Sequence, residues 1–354
     1  MKSSASSHLF FIGTYTKTSS RGIYAARLDD ATGALSTPEL AATTDSPTFL
    51  AFSPGRKVLY AVRNSPETVA AFAVEADTGR LAPPSPAPAP QAVSPCHIAV
   101  DRTGRALITT NYHTGMVATL PLDAAGTPGA PRVFFHRGHG ADAKSQATPH
   151  PHSATISPDN RFVIVCDLGL DRIFTYNLDL PHAALAPAEG APFAAAAPGS
   201  GPRHFTFGAN GRQAYSIQEL GNTIVVYDYD AARGALEPRQ TLSTLPPGFS
   251  GKSAAAEVSL HPNGKFLYGS NRGHDSLASF AIDPATGLLA PLAIVPCGGR
   301  NPRHFAFSPG GKWLVCAHQD TDTLCTFAVD PATGRLTRAG NTVSVGMPVC
   351  VLFY

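Results

Sequence analysis

The chain of 354 residues is poor in charge. Aspartate, glutamate, lysine and arginine together make up 15% of it, against roughly 25% in an average soluble protein. Lysine plus arginine number 27 and aspartate plus glutamate 25, so no basic field is visible that would drive binding to a phosphate backbone. We therefore expect neither a coiled coil nor a nucleic-acid partner.

Paired cysteines and long apolar runs are also missing. The six cysteines contain no CxxC pair and are spread over a chain too large to need disulfides, so we expect them to be reduced and mostly buried. The first apolar stretch covers only residues 9–12, which is shorter than the hydrophobic region of a secretory signal, and no run of about 18 apolar residues occurs. The expectation is a cytoplasmic protein with no membrane partner.

Glycine and proline are abundant, with 32 of each, and they recur in a repeated pattern. Six similar segments, such as SPTFLAFSPGRKVLYAVRN and NPRHFAFSPGGKWLVCAHQ, each read as two apolar strands joined by a turn. Their anchor positions, with that of a seventh partial copy, are Pro47, Pro95, Pro151, Pro202, Ala255, Pro302 and Pro348. The anchors are 46 to 56 residues apart, a spacing that fits four short strands per unit.

The two ends of the chain complement each other. The last residues, MPVCVLFY, supply only the first strand of a seventh unit, and LFFIGTYT with GIYAARL near the start supplies the remaining strands. Pairing of these segments would close a ring without an open sheet edge. The prediction is an all-β, seven-bladed β-propeller, closed by its N- and C-terminal segments, that forms one domain over residues 1–354.

Three stretches interrupt the repeat. They cover residues 82–91, 136–148 and 182–201 and are rich in proline, small residues or polar groups, which predicts inter-blade loops. The stretch 136–148 carries charges and histidines and leads into a polar segment, so it is a candidate to overhang a site.

The repeat phase selects positions that face the central channel. The innermost strand of each blade lines the channel and the second strand runs antiparallel beside it, so the residues 1 and 17 positions after the anchor emerge on the same face. Five of these residues are ionisable: His152, Arg203, Glu219, Arg272 and Arg303. Because arginine presents a planar fork suited to carboxylate or phosphate, the pattern predicts an anionic small-molecule ligand. The competing interpretation is that Glu219 and an arginine form an ion pair that holds blades together.

Other polar residues next to these channel-facing positions have structural interpretations. Strand alternation directs His204 and His304 away from the channel, where we expect them to satisfy core hydrogen bonds. Glu257 lies two positions after its anchor and is a candidate supporting or blade-locking carboxylate.

The histidines of the third unit raise the question of a metal site. His150 and His152 share a strand face, with His136 and His139 nearby in sequence. Two such ligands suit zinc, but no third ligand follows at a suitable spacing. Loops of the GxxxxGK, GxSxG and GxGxxG types are absent as well. We therefore predict no metal and no cofactor.

Several motifs resemble a known family. FFIGTYT, PHPHSATISPDNRFVIVCDLGLDRI, YSIQELGNTIVVYDYD and SNRGHDS are similar to segments of the propeller-type lactonases, which include 6-phosphogluconolactonases and 3-carboxy-cis,cis-muconate lactonising enzymes. The resemblance runs from about Phe10 to the last residue. It implies a seven-bladed fold and a site made of His152, Glu219, Arg203 and Arg272. Candidate substrate-binding residues beside them are His150, Arg303, Asn271 and Tyr112.

Three functions remain open on the sequence. The first is hydrolysis of a lactone, foremost 6-phospho-D-glucono-1,5-lactone in the pentose phosphate pathway, with His152 or Glu219 as base and Arg203 and Arg272 at the oxyanion and the anionic group. The second is a cycloisomerase that lactonises a carboxylated muconate at the same site. The third is a non-enzymatic propeller that binds a ligand or a protein. A monomer and a weak dimer are both compatible with the sequence.

Overall fold

The structure is a computed structural model that describes residues 7–64, 67–82 and 95–354. Within these ranges the chain forms 29 β-strands in seven sheets and no helix. No helical segment with the length and hydropathy to cross a bilayer occurs in the same ranges.

The first three complete blades follow the chain order. Blade 1 contains β4 (Leu50–Phe52), β5 (Val58–Asn64), β6 (Glu67–Glu75) and β7 (Arg80–Leu81). Blade 2 contains β8 (His97–Val100), β9 (Ala106–Thr110), β10 (Met116–Pro121) and β11 (Arg132–Phe135). Blade 3 contains β12 (Pro151–Ile156), β13 (Phe162–Asp167), β14 (Arg172–Asp179), β15 (Ala184–Pro187) and β16 (Phe193–Ala195).

The remaining blades have four strands each. Blade 4 contains β17 (Pro202–Phe207), β18 (Gln213–Gln218), β19 (Thr223–Asp230) and β20 (Ala235–Ser243). Blade 5 contains β21 (Ala254–Leu260), β22 (Phe266–Arg272), β23 (Ser276–Ile282) and β24 (Leu289–Pro296). Blade 6 contains β25 (Pro302–Phe307), β26 (Trp313–His318), β27 (Thr323–Val329) and β28 (Leu336–Ser344). Blade 7 combines β29 (Pro348–Phe353) with β1 (Ser7–Thr14), β2 (Gly22–Asp29) and β3 (Glu39–Thr43).

The ring closes in blade 7, as the sequence predicted. Strand β29 pairs antiparallel with β1, with Phe10 opposite Phe353 and Ile12 opposite Val351. The innermost strand of every blade also contacts the innermost strand of the next blade, in the cyclic order β4, β8, β12, β17, β21, β25 and β29. The prediction of an all-β, seven-bladed propeller closed by its two terminal segments is confirmed.

The core lies between neighbouring sheets. The second strand of a blade is buried on both faces, and all six residues of β13 are buried, which fits its run of five apolar residues before Asp167. Between blades 6 and 7, Trp313 packs with Phe10 and Val315 and donates its indole N–H to the carbonyl of Asp30 at 3.0 Å. Packing of this kind fixes the angle between blades and holds the inner strands around the channel.

The predicted inter-blade loops have different outcomes. Except for residue 82, the stretch 82–91 lies outside the described residues. The prediction for 182–201 is wrong in part, because β15 and β16 form there and both pair with β14. Leu185 and Ala194 supply apolar side chains that pack against the core of blade 3. The many small residues around them made the segment resemble a loop in the sequence. The stretch 136–148 has no regular strand.

Candidate active site

A pocket of ≈ 310 Å³ opens at the mouth of the central channel. It is lined by Tyr15, Lys17, Thr48, Asn64, Pro95, Cys96, Tyr112, His113, His152, Glu219, Arg272 and Arg303. A smaller cavity beneath it shares several of these residues and adds Arg203, His204 and His304. No residue of 136–148 lines the pocket, so this loop does not overhang it.

The residues that follow the anchors reach the channel because the strands bulge there. The ladder shifts register between Pro151 and Ser153, and equivalent shifts follow Pro202 and Pro302. The residue without a partner on the neighbouring strand is His152 in β12, Arg203 in β17 and Arg303 in β25. A bulge re-aims one side chain while the strand continues, so the proline anchor and the bulge together turn these groups inward.

Glu219 forms ion pairs with two arginines, Arg203 of blade 4 and Arg272 of blade 5. Its Oε2 accepts the Nε–H of Arg203 at 2.8 Å and an N–H of Arg272, through Nη2, at 2.8 Å. Arg203 also donates through Nη1 to the carbonyl of Ala256 at 2.7 Å, and its side chain is only 2% exposed. The carboxylate is therefore held between two charge-assisted hydrogen bonds.

Arg203 lies deeper than the sequence suggested. It lines the small lower cavity and does not line the pocket itself. Burial and the neighbouring Arg272 lower the pKa of Arg203 to about 9, which still leaves it a cation at neutral pH. Its contacts orient Glu219 from below, whereas Arg272 and Arg303 line the space that a ligand would fill.

The charges of the pocket set the protonation of Glu219 and His152. Burial favours the neutral form of Glu219, but Arg272 and Arg203 outweigh it and lower the pKa of this carboxyl below its usual value. Burial, together with Arg203, lowers the pKa of His152 well below its ordinary value. At neutral pH the site therefore contains a carboxylate and a neutral imidazole.

The imidazole of His152 is unusual in having no hydrogen-bond partner among the described residues. Its Nδ1 is buried and unbonded. The ring stands edge-on to Tyr112 at 5.8 Å and to His204 at 5.2 Å between centroids. A buried polar atom without a partner is costly, so this ring is a group whose partner is expected to be a ligand or water.

The floor beneath the pocket contains a second polar cluster. Glu257 Oε2 lies 2.9 Å from Nδ1 of His204 and 3.4 Å from Nε2 of His304. Burial raises the pKa of Glu257. The two histidines form buried hydrogen bonds, as expected. They also line the cavity beneath the pocket, so the prediction that strand alternation turns them away from the channel is wrong. Glu257 links blades 4, 5 and 6 at the channel.

His150 supports the pocket from outside. Its ring stacks on Tyr112 at 4.3 Å between centroids, and its backbone N–H donates to Asp167 Oδ1 at 2.8 Å. The other oxygen of Asp167 lies 2.6 Å from Nδ1 of His136, whose Nε2 lies 2.7 Å from the hydroxyl of Tyr176. His150 thus contacts Tyr112, which lines the pocket, but does not line it itself.

Asn271 is placed differently from the prediction. It is fully buried and exchanges hydrogen bonds with Thr244 through Oδ1 at 2.6 Å and Nδ2 at 2.8 Å, and Nδ2 also reaches Ser276. Adjacent residues on a strand point to opposite faces, so Asn271 turns away from the pocket that Arg272 enters. Its role here is to tie strands of blade 5 to the end of blade 4.

Two lining residues extend the sequence-based picture. Lys17 follows β1 and adds a cation that the sequence analysis missed, because it lies beyond the strand positions that the repeat phase defines. Cys96 lines the pocket, but burial raises the pKa of its thiol, so it is not a reactive thiolate.

All six cysteines are free and five are buried. Among the described residues no group of three or more His, Cys, Asp or Glu side chains is arranged to hold a metal ion.

Comparison with known proteins agrees with the geometry. Residues 9–353 match the model of a family described as lactonase, 7-bladed beta-propeller. A 6-phosphogluconolactonase of Bacillus subtilis is 35% identical over 352 residues, which cover 98% of each chain.

Solved structures give the same result. The periplasmic gluconolactonase of Pseudomonas aeruginosa is 33% identical with a TM-score of 0.90 over 98% of this chain and 99% of that one. A Lactobacillus plantarum protein is 31% identical with a TM-score of 0.90 over 99% of this chain and 100% of that one. The chain therefore belongs to the seven-bladed β-propeller lactonase family.

Proposed function

We propose that this protein hydrolyses a sugar lactone and that its substrate is 6-phospho-D-glucono-1,5-lactone, which it opens to 6-phosphogluconate in the pentose phosphate pathway. The observation that carries the proposal is a neutral, unpartnered imidazole beside a carboxylate clamped by two arginines in a cationic pocket. The 6-phosphogluconolactonase of Bacillus subtilis, which is similar over its whole length, supports the choice of substrate.

His152 is the general base in this proposal. Its lowered pKa keeps the ring neutral, and it lines the pocket without a competing hydrogen bond. The ring takes a proton from water as the water oxygen attacks the lactone carbonyl carbon. Collapse of the tetrahedral intermediate breaks the bond between that carbon and the ring oxygen, and the imidazolium returns the proton to the departing oxygen. Water is thus divided between the new carboxyl group and the new hydroxyl group.

Arg272 stabilises the developing oxyanion. It lines the pocket and is held in place through its hydrogen bond to Glu219 at 2.8 Å, so its charge is preorganised before the substrate arrives. Glu219 is the weaker candidate for the base, because Arg272 and Arg203 lower its pKa. Its role is to position Arg272, and Arg203 in turn positions Glu219.

The test is turnover of freshly prepared 6-phosphogluconolactone, followed by acid release at constant pH. We expect His152→Ala to lower kcat/KM by about 100-fold or more, the usual size of a lost acid–base group. We expect Glu219→Gln to lower it by a similar factor, because Arg272 is then no longer held by a carboxylate at the developing oxyanion. His182→Gln is the matched control, because His182 is exposed and, within the part of the chain that the structure describes, forms hydrogen bonds to Asp179 alone. If both site variants stay within about threefold of the wild type, the site assignment is wrong.

A second substrate separates the rival functions. A carboxylated muconate takes up a proton when one of its carboxylates closes onto the alkene to form the lactone, so proton uptake with this substrate and no acid release from 6-phosphogluconolactone would support the cycloisomerase. Absence of turnover with all substrates would support a non-enzymatic propeller. We expect activity to survive treatment with a chelator, because the mechanism uses only side chains of this chain.

We also propose that residues 1–354 act as one domain in the cytoplasm. The cyclic contacts between inner strands support one unit, since no blade has an independent set of neighbours. A phosphorylated sugar substrate supports the location, because such sugars are made and used inside the cell.

A further inference from the structure

Two cations at the pocket mouth have no acidic partner. Lys17 follows β1 in blade 7 and Arg303 lies on the bulge of β25 in blade 6. Within the described ranges neither forms an ion pair. Glu219 is the only carboxylate among the described residues that line the pocket, and it is already engaged by Arg203 and Arg272. The pocket therefore carries positive charge that the described residues do not neutralise.

Tyr15 brings these two cations to one place. The ammonium nitrogen of Lys17 lies 5.0 Å from the centroid of the Tyr15 ring, and the guanidinium carbon of Arg303 lies 5.7 Å from the same centroid. Contacts of this kind hold a cation over an aromatic ring with some loss of hydration. Both cations therefore belong to one cluster around the Tyr15 ring at the pocket mouth.

The loop that carries Lys17 is anchored. Tyr15 donates its backbone N–H to the carbonyl of Met347 at 3.0 Å, and Thr16 donates its hydroxyl to Asp45 Oδ1 at 2.7 Å. These bonds tie the loop to the neighbouring ends of blades 6 and 1. The backbone of Lys17 is therefore placed by the fold, although its side chain is exposed.

The position of this pair relative to the reacting groups determines what it binds. His152 and Glu219 belong to blades 3 and 4, and in a ring of seven blades these stand across the channel from blade 7. A substrate whose carbonyl lies between His152 and Arg272 would extend its far end toward Lys17 and Arg303.

We propose that Lys17 and Arg303 form a phosphate subsite and that this subsite sets a preference for the phosphorylated lactone over the unphosphorylated one. The inference rests on the lactonase function proposed above. A phosphate monoester carries close to two negative charges at neutral pH, which matches two cations without partners. Arginine supplies a fork for two phosphate oxygens and lysine supplies a mobile point charge.

The experiment compares kcat/KM for 6-phosphogluconolactone and for glucono-1,5-lactone. We expect Lys17→Gln and Arg303→Gln each to lower the ratio of the two values about tenfold, mainly through KM of the phosphorylated substrate, as befits one lost charge-assisted contact. Lys17→Arg should restore the ratio to within about threefold. Lys252→Gln is the matched control, because Lys252 is exposed at the same end of the ring but lies outside the pocket, and it should leave the ratio unchanged.

The outcomes separate this inference from the proposed function. If the wild type hydrolyses both lactones and the ratio stays constant in Lys17→Gln and Arg303→Gln, the subsite is wrong and the lactonase stands. If the wild type hydrolyses neither lactone, the proposed function is wrong, and calorimetric binding of 6-phosphogluconate and gluconate decides the subsite. Tighter binding of 6-phosphogluconate that is lost in Lys17→Gln supports the subsite, and equal or absent binding of the two acids overturns it.

Discussion

The protonation of single residues determines what the pocket can do at a given pH. His152 is buried beside Arg203 and within the field of Arg303, and both effects disfavour a charged imidazole. The ring is therefore neutral and can act as a base at neutral pH. Its lowered pKa also makes it a weaker base than an exposed histidine. The anionic Glu219 does not reverse this effect, because its charge is shared between two arginines.

The pH dependence of activity follows from this state. The pKa of His152 in the folded protein lies below the usual 6.5, so the ring stays neutral at pH values where an exposed histidine would be half protonated. We expect kcat/KM to remain level from pH 7.5 to 6.5 and to fall only below about pH 6. The measurement is a pH profile of kcat/KM, corrected for spontaneous hydrolysis of the lactone. An acid limb centred at or above pH 6.5 would contradict the assignment of this ring as the base.

The repeat phase explains which site residues the sequence could predict. His152, Glu219, Arg272 and Arg303 meet at the pocket because each copy places the same two positions at the channel. Asn271 was mistaken for a pocket residue because it adjoins one of these positions, although alternation turns it to the other face. The depth of Arg203 could not be predicted, since it depends on the bulge and on the carbonyl of Ala256.

At the scale of strands, closure of the ring depends on a close approach in blade 7. The register between β1 and β29 shifts at Gly13 and Thr14. A Cβ at Gly13 would overlap the carbonyl oxygen of Pro47 and lie 3.1 Å from Cβ of Cys350. Glycine at this position therefore lets the terminal strands and the start of blade 1 pack together.

Gly13→Ala tests this packing. We expect it to lower the free energy of unfolding by about 1–3 kcal/mol, the usual cost of overpacking. Gly310→Ala is the control, because a Cβ there would meet no atom within 4 Å, and it should change stability by no more than about 0.5 kcal/mol. Urea unfolding of the two variants and the wild type provides the measurement. Equal stability of both variants would mean that β1 and β29 can separate slightly at no cost.

Strand composition explains where the prediction of elements succeeded and where it failed. The inner three strands of most blades have alternating or continuous apolar residues and turns at regular spacing, so the sequence predicts them. The outer strands β15 and β16 lie among alanine, proline and glycine, and each carries a single large apolar side chain, Leu185 or Phe193. They form because β14 offers an edge to pair with, and the composition of a segment does not reveal such a partner.

Over the whole molecule, the ring distributes charge unevenly. The chain has a formal net charge of only +2, yet the pocket is lined by three cations and one carboxylate. Blades 3 to 5 supply the reacting groups, blades 6 and 7 supply the cations without partners, and blades 1 and 2 supply neutral residues such as Thr48 and Tyr112. Convergence of inner strands allows seven sheets to contribute to one site, which no single blade could form.

The same convergence buries four histidines around the channel, and this makes stability depend on pH. His97, His152, His204 and His304 all have a pKa lowered below the usual 6.5, mainly by burial. Below pH 6.5 these histidines bind protons in the unfolded chain but stay neutral in the folded protein. The free energy of unfolding therefore falls as the pH falls. Each histidine contributes about 1.4 kcal/mol per pH unit in this range. Glu257 acts in the opposite direction, because its raised pKa lets the folded protein take up a proton first.

We expect the free energy of unfolding to fall steadily as the pH is lowered from 6.5 to 5, because these histidines, together with His318, whose pKa is also lowered, outnumber the one carboxyl whose pKa is raised. Urea unfolding at a series of pH values provides the measurement. His97→Gln isolates the contribution of one histidine to this pH dependence. His97 packs on Phe49 at 4.0 Å between ring centroids and is not one of the reacting groups. In this variant the slope should fall by about 1.4 kcal/mol per pH unit. A free energy of unfolding that stays constant down to pH 5 would mean that these rings bind protons as readily in the folded protein as in the unfolded chain. Burial would then not lower the pKa of the imidazole assigned as the base, so this measurement tests one premise of the proposed mechanism without any substrate.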